Sequence, residues 1–424
     1  MRKRTKRLAP VLALLFALLP LQSVASAQSP TDVAEAPGVA GARDVSQAGE
    51  HPAPAKAARS AGEHISCDAL DKRLKSKRSK VPDGLSLCVE TTPRADAPQL
   101  KQATEKSPAL QAEDRPDWCN DHVFDGWWQT RTDACMTRDV QGVFTRNGVP
   151  VGGVSFLEFN YSYSDTASEQ WAHQIELYRY STWGSTGTLF VVGSARCSGD
   201  CAVRNAGVLG GRMNDREDVD GESFFATTAT GSGQVGFART TWEYRILSTY
   251  AGLSNEMEVE SPASRGDNAL PGVYRPGVVF PEYTPTLNYS LALYPQLAGH
   301  IRDAQNSGLP GAPGDTALER LTDTDKRDDN RNRSCPSRYP RPDGKSCDEY
   351  PFASTWQGAS TANPVGVART FGWCNITEPS GTGPVGYSVC MIDATENSRG
   401  GSELGSFYRT ERIIEKDAFF VDTY

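Results

Sequence analysis

The chain has 424 residues, a formal charge of −8 and 38% hydrophobic residues, with 39 Gly, 27 Pro and 10 Cys. At roughly 100–200 residues per domain this length holds two or three domains with a sizeable core. A mean hydropathy of −0.49, with one long apolar run at the N-terminus, excludes a multi-span membrane protein, and the acidic balance argues against broad, charge-driven nucleic-acid binding.

Arg2, Lys3, Arg4, Lys6 and Arg7 precede an apolar run over 8–21, which gives way to Ala25-Ser26-Ala27. A basic start, a short apolar stretch and an A-x-A site describe a secretory signal peptide, 1–27, cleaved after Ala27. A membrane anchor is the alternative, but the run is shorter than the ~20 residues a spanning helix needs. The expected mature chain is secreted, has no membrane span after cleavage and meets an oxidising compartment. All 10 cysteines lie beyond the signal: Cys67, Cys88, Cys119, Cys135, Cys197, Cys201, Cys335, Cys347, Cys374 and Cys390. An even count in a secreted chain reads as a disulfide framework. Nearest-neighbour pairing is the simplest scheme, although spacing alone leaves the connectivity open. Five His and no C-x₂-C pair give zinc little to bind.

Residues 28–116 read as mostly disordered or linker, with one possible disulfide. The stretch from 28 to about 60 is rich in Ala, Pro, Gly and Ser and has no aromatic residue. A basic run at 72–78 reads as a solvated face or propeptide helix rather than a binding site. A second polar linker spans 94–116. From 117 to 289 short Val-, Phe-, Tyr- and Thr-rich runs at 140–145, 154–163, 188–192, 235–238 and 273–280 alternate with turn residues, and Asn147-Gly148 marks a hairpin. The expectation is an antiparallel, sandwich-like β-rich module. It carries no paired carboxylates, nucleophile elbow or phosphate loop, and its partner is unknown. Trp127, Trp128, Trp171 and Trp183 suit core packing better than a ligand platform.

Residues 290–424 read as a small α+β domain. Leu297, Ile301 and Ala304 share one face of a helix over 296–306, which makes His300 and Asp303 surface neighbours. A charged helical candidate at 316–333 contains Asp325-Lys326-Arg327. A loop-like segment at 346–353 carries the adjacent carboxylates Asp348 and Glu349. The Gly-rich stretch 397–403 runs into a helical segment at 404–408, and 417–424 closes as a strand.

The order GHIRDA (299–304), DKR (325–327), CDEYPFA (347–353) and NSRGGSE (397–403) resembles the extracellular deoxyribonucleases of the NucA/NucB type, over about 290–424. Tyr350 stands where the family has Trp, and the interval before the Gly-rich stretch is expanded and holds Cys374 and Cys390. The resemblance implies a nuclease-like domain with DNA as substrate, and singles out Asp348 and Glu403 as catalytic.

The chemistry of the residues agrees. Carboxylates alone repel a phosphate, so a divalent cation held by Asp348 with Glu349 or Glu403 is needed to reverse the local sign, and oxygen-only ligation favours Mg²⁺ or Mn²⁺. Asp348 and Glu403 are the expected pair, as ligands or as ligand plus water-activating base. His300, the only His of this domain, is a candidate base or phosphate contact with Asp303 fixing its tautomer, or else a helix His bonded locally to Asp303. Arg302 and Arg399 are candidate phosphate contacts. Residues 291–424 carry 14 Lys and Arg against 18 Asp and Glu. Lys326 and Arg327 nevertheless open a basic strip, continued by Arg331, Arg333, Arg338, Arg341 and Lys345, which crowds the approach to Asp348. The expected activity is a secreted, divalent-metal-dependent, largely sequence-nonspecific endodeoxyribonuclease. The competing readings are a secreted β-sandwich binding protein with an inactive C-terminal domain, and a glycosidase using Asp348 and Glu403, for which Trp356 and Trp373 are too few aromatic residues.

Overall fold

The computed structural model describes residues 84–92, 115–377 and 381–424, with Cys67 and the backbone of Ala55–Lys56. The expected signal peptide, the disordered stretch after it, the basic run at 72–78 and the linker up to 114 lie outside the described residues.

Two antiparallel sheets build the β-rich part. The first contains Leu85–Thr92, Asp133–Arg146, Val149–Ser164, Gln170–Gly184 and Asp218–Thr227; the second is centred on Leu189–Gly199 and Val235–Ser248. Alternation along each strand sends one face inward. Val140, Phe144, Phe156 and Ile175 of the first sheet meet Leu189, Val191, Trp242 and Ile246 of the second in one core. The expected sandwich-like module is therefore present. The hairpin at Asn147-Gly148 has φ values of 52° and 82°, the left-handed pair a two-residue turn needs. Trp127 and Trp171 are core residues, whereas Trp183 is 54% exposed.

Two segments depart from the expected boundaries. Leu85–Thr92, inside the stretch read as linker, pairs with Asp133–Arg146 and buries Leu87 and Val89. Its alternation is plain, but polar sequence on both sides hides it. Thr286–Tyr289, read with the β-rich module, pairs instead with the last strand of the chain's other half. The cysteines pair as nearest neighbours: 67–88, 119–135, 197–201, 335–347 and 374–390.

In chain order the C-terminal part runs β1 (Thr286–Tyr289), α1 (Pro295–Asn306), β2 (Leu318–Glu319), α2 (Thr324–Ser334), β3 (Lys345–Tyr350), β4 (Ala368–Arg369), β5 (Tyr387–Asp393), α3 (Ala394–Thr410) and β6 (Ala418–Thr423). β6 lies between β1 and β2, and β5 lies between β3 and β4. α1 buries Leu297, Ile301 and Ala304 in a core shared with Ile392, Leu404 and Phe419. Three local expectations change. The segment expected as a loop around Asp348 is strand through Tyr350, because β5, buried from Tyr387 to Ile392, offers it a partner. The charged helix starts only at Thr324, where Asp323 caps it by accepting from the Lys326 N–H, and residues before it pair with β6. α3 starts ten residues before the expected 404, since Asp393 accepts from the N–H groups of Thr395 and Glu396 and launches the helix through the glycines.

Residues 49–424 form one unit, and its two halves meet around the 411–417 turn between α3 and β6. Arg131 donates to the carbonyls of Glu411 (2.7 Å) and Arg412 (3.1 Å) and to Asp417 Oδ2 (2.8 Å). Arg265 donates to Asp417 at 2.6 Å, to Asp267 at 3.1 Å and to the Arg412 carbonyl at 2.8 Å. Arg412 reaches the other way, pairing with Asp267 at 2.9 Å and donating to the Thr166 carbonyl at 2.7 Å. A Cβ on Gly277 would stand 2.1 Å from the Thr166 carbonyl oxygen and 2.7 Å from Arg412 Nη1, so that position must stay bare. Burial, and next Arg265, push the Arg131 guanidinium down to about 10.

Removing one partner of such a cluster strands the others. Asp417→Ala is expected to cost about 3 kcal/mol in urea unfolding and to split one transition into two, because buried ion pairs cost that much when broken. A change below about 1 kcal/mol, the range of exposed pairs, would mean that the halves are held elsewhere.

His173 supplies a pH dependence. It is buried between Trp127 and Trp242, with Nδ1 2.9 Å from Thr240 Oγ1. Burial lowers its pKa from 6.5 to about 3. Between those values the unfolded chain binds the proton and the folded chain does not. Stability is therefore complete above about pH 6.5 and falls as the pH drops towards 3. His173→Gln is expected to flatten the fall in the urea midpoint between pH 7 and pH 4.5; a slope equal to that of the unaltered chain would refute the assignment.

Candidate active site

A cleft of about 700 Å³ opens along β3, walled by α2 and α3. β3 is an edge strand, and Asn397 of α3 covers part of its open side by donating from Nδ2 to the Cys347 carbonyl (3.1 Å) and to Ser346 Oγ (3.0 Å). Asn397 itself lines the cleft. Asp348 and Glu349 both line the cleft, together with Arg327, Arg331 and Arg341. Three guanidiniums against two carboxylates make this wall net positive within an acidic chain.

Asp348 is 6% exposed and held from behind. His300 Nδ1 lies 2.7 Å from Asp348 Oδ2, and His300 Nε2 lies 2.6 Å from Ser388 Oγ. With Asp348 ionised, Nδ1–H donates to the carboxylate and the Ser388 hydroxyl donates to Nε2. Both ring nitrogens are thus taken, and the ring is fully buried. This corrects two expectations. Asp303 does not fix the His300 tautomer, since it accepts from Trp373 Nε1 at 2.9 Å and sits 4.0 Å from Arg302. His300 is also not placed to touch a phosphate, because it lies on the core side of α1.

Glu349 points past the 335–347 disulfide, with Oε2 3.6 Å from Cys335 Sγ. Burial, and next the Asp348 charge, push its carboxyl up to about 7, with Arg331 pulling the other way. The 335–347 bridge joins the C-terminal end of α2 to the residue before Asp348, and Cys390 of the second bridge stands opposite Asp348 on β5. Tyr350, in place of the expected Trp, is buried with its phenol donating to the Pro310 carbonyl and accepting from Gln305.

Glu403 is not brought into the cleft. The cleft face of α3 is Asn397, Gly400, Gly401 and Leu404, and Glu403 lies about 60° around the helix from Gly400, on the flank where Tyr294 donates to it. Its charge still reaches the wall. The Tyr289 phenol, which donates to the Gly400 carbonyl at 2.7 Å, is raised well above its ordinary value by burial, then by Glu403 and Asp348. Arg302 and Arg399 are exposed outside the cleft, and Lys326 pairs with Asp323 beside the Trp356 ring. Of the four expected substrate contacts only Arg327 lines the cleft. Ser388 and Asn397 had no assigned role in the sequence: Asn397 lay in a quoted motif, but Ser388 sits in an apolar run that gives no signal.

Among the described residues no group of three His, Cys, Asp or Glu converges as a metal cage. That does not suit a structural zinc site, but it suits a hard, partly hydrated ion held by one or two carboxylates. Asp348, Glu349 and the Asn397 amide oxygen are oxygen donors of that kind.

A family model described as Deoxyribonuclease NucA/NucB matches residues 311–422. The match includes α2, β3, the Asp348 pair and α3, and begins after the helix that carries His300. No curated protein matches the chain. Over 311–422 the C-terminal region is thus similar to deoxyribonucleases of this type.

His300 touches Asp348 and is fully buried, so an effect of its removal on turnover would have to pass through that carboxylate. His300→Gln is expected to lower kcat on DNA about 10–100-fold with KM little changed, as loss of a ligand-orienting partner does. Equal loss of activity and folded fraction, with kcat per folded molecule intact, would reduce His300 to packing.

Proposed function

We propose that the C-terminal half is a secreted, divalent-metal-dependent, largely sequence-nonspecific endodeoxyribonuclease that hydrolyses DNA phosphodiester bonds. One observation carries this reading: two adjacent carboxylates, Asp348 and Glu349, face a cleft with three arginines inside the region that matches the family. Arg327, Arg331 and Arg341 take the charge of the phosphate, and guanidinium–phosphate contacts read no sequence. Asp348 has Oδ2 fixed by His300, which leaves Oδ1 for the reacting end. Burial and the Asp348 charge push the Glu349 carboxyl up, so a cation beside the pair would relieve their repulsion. Asp348, Glu349 and Asn397 would hold Mg²⁺ or Mn²⁺. When bound, such an ion supplies charge neutralisation on the phosphate and acidifies water.

Glu403 and Arg302, Arg399 and Lys326 lie outside this set, and their part is long-range and salt-sensitive. Secretion is supported by the five cystine pairs, which persist in oxidising compartments. For the β-rich module the observations favour a scaffold. Its arginines clamp the 411–417 turn, while no described residue before Tyr289 lines the cleft.

The test is plasmid cleavage by the purified chain with Mg²⁺, with Mn²⁺ and with EDTA. Smearing is expected only with metal. Asp348→Asn is expected to lower the rate at least about 10²-fold with the melting temperature little changed, the scale of losing a general base or metal ligand. No cleavage with any divalent ion would return the chain to the binding-protein reading.

A further inference from the structure

Beside the cleft lies a smaller recess of about 180 Å³ that shares Arg327, Ser354, Gly401 and Leu404 with it. Arg320 and Arg409 add two more guanidiniums, and none of the residues lining the recess is acidic. In a chain with net charge −8 an all-basic recess is unexpected. Arg320 is spent on the protein: it donates to the Ile413 carbonyl and lies 4.2 Å over the Tyr408 ring. Arg327 and Arg409 have no side-chain ion pair or hydrogen bond among the described residues, and Arg327 Nε is buried without a partner. Burial lowers the Arg320 pKa, and the Arg327 charge adds to the effect against the opposing pull of Tyr408, Asp417 and Glu415.

The glycines of α3 support the same reading. A glycine inside a helix costs roughly 0.5–1 kcal/mol relative to alanine, so each calls for a reason. Gly400 has one: a Cβ there would stand 2.1 Å from Leu297 Cδ2. Gly401 has none in the packing, since a Cβ there meets nothing within 4 Å, and at Gly405 it meets only Arg409 Nη1 at 3.7 Å. Both line the recess, so their bare Cα atoms keep its floor open and let Arg409 lie back over Gly405.

We propose that this recess is a second phosphate subsite, in which Arg409, with Arg327 bridging from the cleft, takes a backbone phosphate of the DNA strand that lies across Asp348. The proposal rests on the nuclease reading and deepens it. A strand in the cleft continues past Arg327 over Gly401 into the recess, and Pro271 of the β-rich half forms part of its wall. Both halves then contact the substrate path.

The test is fluorescence anisotropy of a labelled 20-base-pair duplex, with Mg²⁺, on the full chain carrying Asp348→Asn so that the DNA stays whole. Adding Arg409→Ala is expected to weaken Kd about fivefold and to reduce the slope of log Kd against log salt by about 1, the signature of one lost phosphate contact. Gly401→Leu, which fills the passage while improving helix propensity, is expected to weaken Kd with no fall in melting temperature. Arg204→Ala removes the same charge from the surface of the β-rich half and is expected to change neither quantity. The subsite is overturned if Arg409→Ala behaves like Arg204→Ala, or if the Asp348→Asn parent binds no DNA at low salt. Plasmid cleavage by the unaltered chain is scored separately. A chain that binds through Arg409 but cuts nothing loses the nuclease reading and keeps the subsite; one that cuts, with binding indifferent to Arg409, does the reverse.

Discussion

The constraint on which the rest of the molecule depends is the burial of three guanidiniums at the join between its halves. Arg131, Arg265 and Arg412 share two carboxylates, Asp267 and Asp417, and donate further to main-chain carbonyls, with Arg412 Nε left without a partner. Charges taken out of water in this way add little net stability over an apolar contact of the same size, but they tolerate few geometries. An apolar seam could slide; a guanidinium that must meet two carbonyls and a carboxylate cannot. The 411–417 turn is therefore fixed to the β-rich half. Because that turn follows α3 directly, the helix that lines the cleft is indexed to the same frame.

Within the cleft, order also comes from behind. Asp348 is held by a buried imidazole, which is held by a buried hydroxyl, while two disulfides lie beside the strand and across from it. A carboxylate fixed in this way needs little rearrangement when charge develops in front of it, which is where preorganised sites gain their rate. The arginines on the other side are exposed, Arg331 paired with Asp328 and Arg341 donating to the Tyr339 and Cys335 carbonyls, so a phosphate there competes with those partners.

Much of this was legible in the sequence where chemistry and order coincide. The four motifs appear in sequence in the order in which they line one half, and Asp348 and Glu349 lie together on the cleft. Strand alternation and the Asn147-Gly148 turn fixed the β-rich half, since a two-residue period and a left-handed turn are local properties. Tertiary properties were not legible. Arginine is by default a surface residue, so nothing marked Arg265 or Arg412 as buried. Helical spacing made His300 and Asp303 neighbours, but spacing does not say which face meets the core. Glu403 was read from its place in a motif, whereas its position around α3 is set by the Asp393 cap ten residues earlier. Ser388 is a small polar residue in an apolar strand, and only the imidazole above it gives it meaning.

The parallel pairing of β1 with β6 puts Thr286 opposite Phe420. Almost the whole C-terminal half is threaded between these two partners, and β2 also waits for β6. Any chain that emerges N-terminus first, from a ribosome or a translocation pore, can complete its β-rich half while this second sheet still lacks its centre. Until β6 is out, β1 and β2 have no common partner. A nascent or truncated chain therefore carries the residues of the cleft before the sheet that frames them is closed.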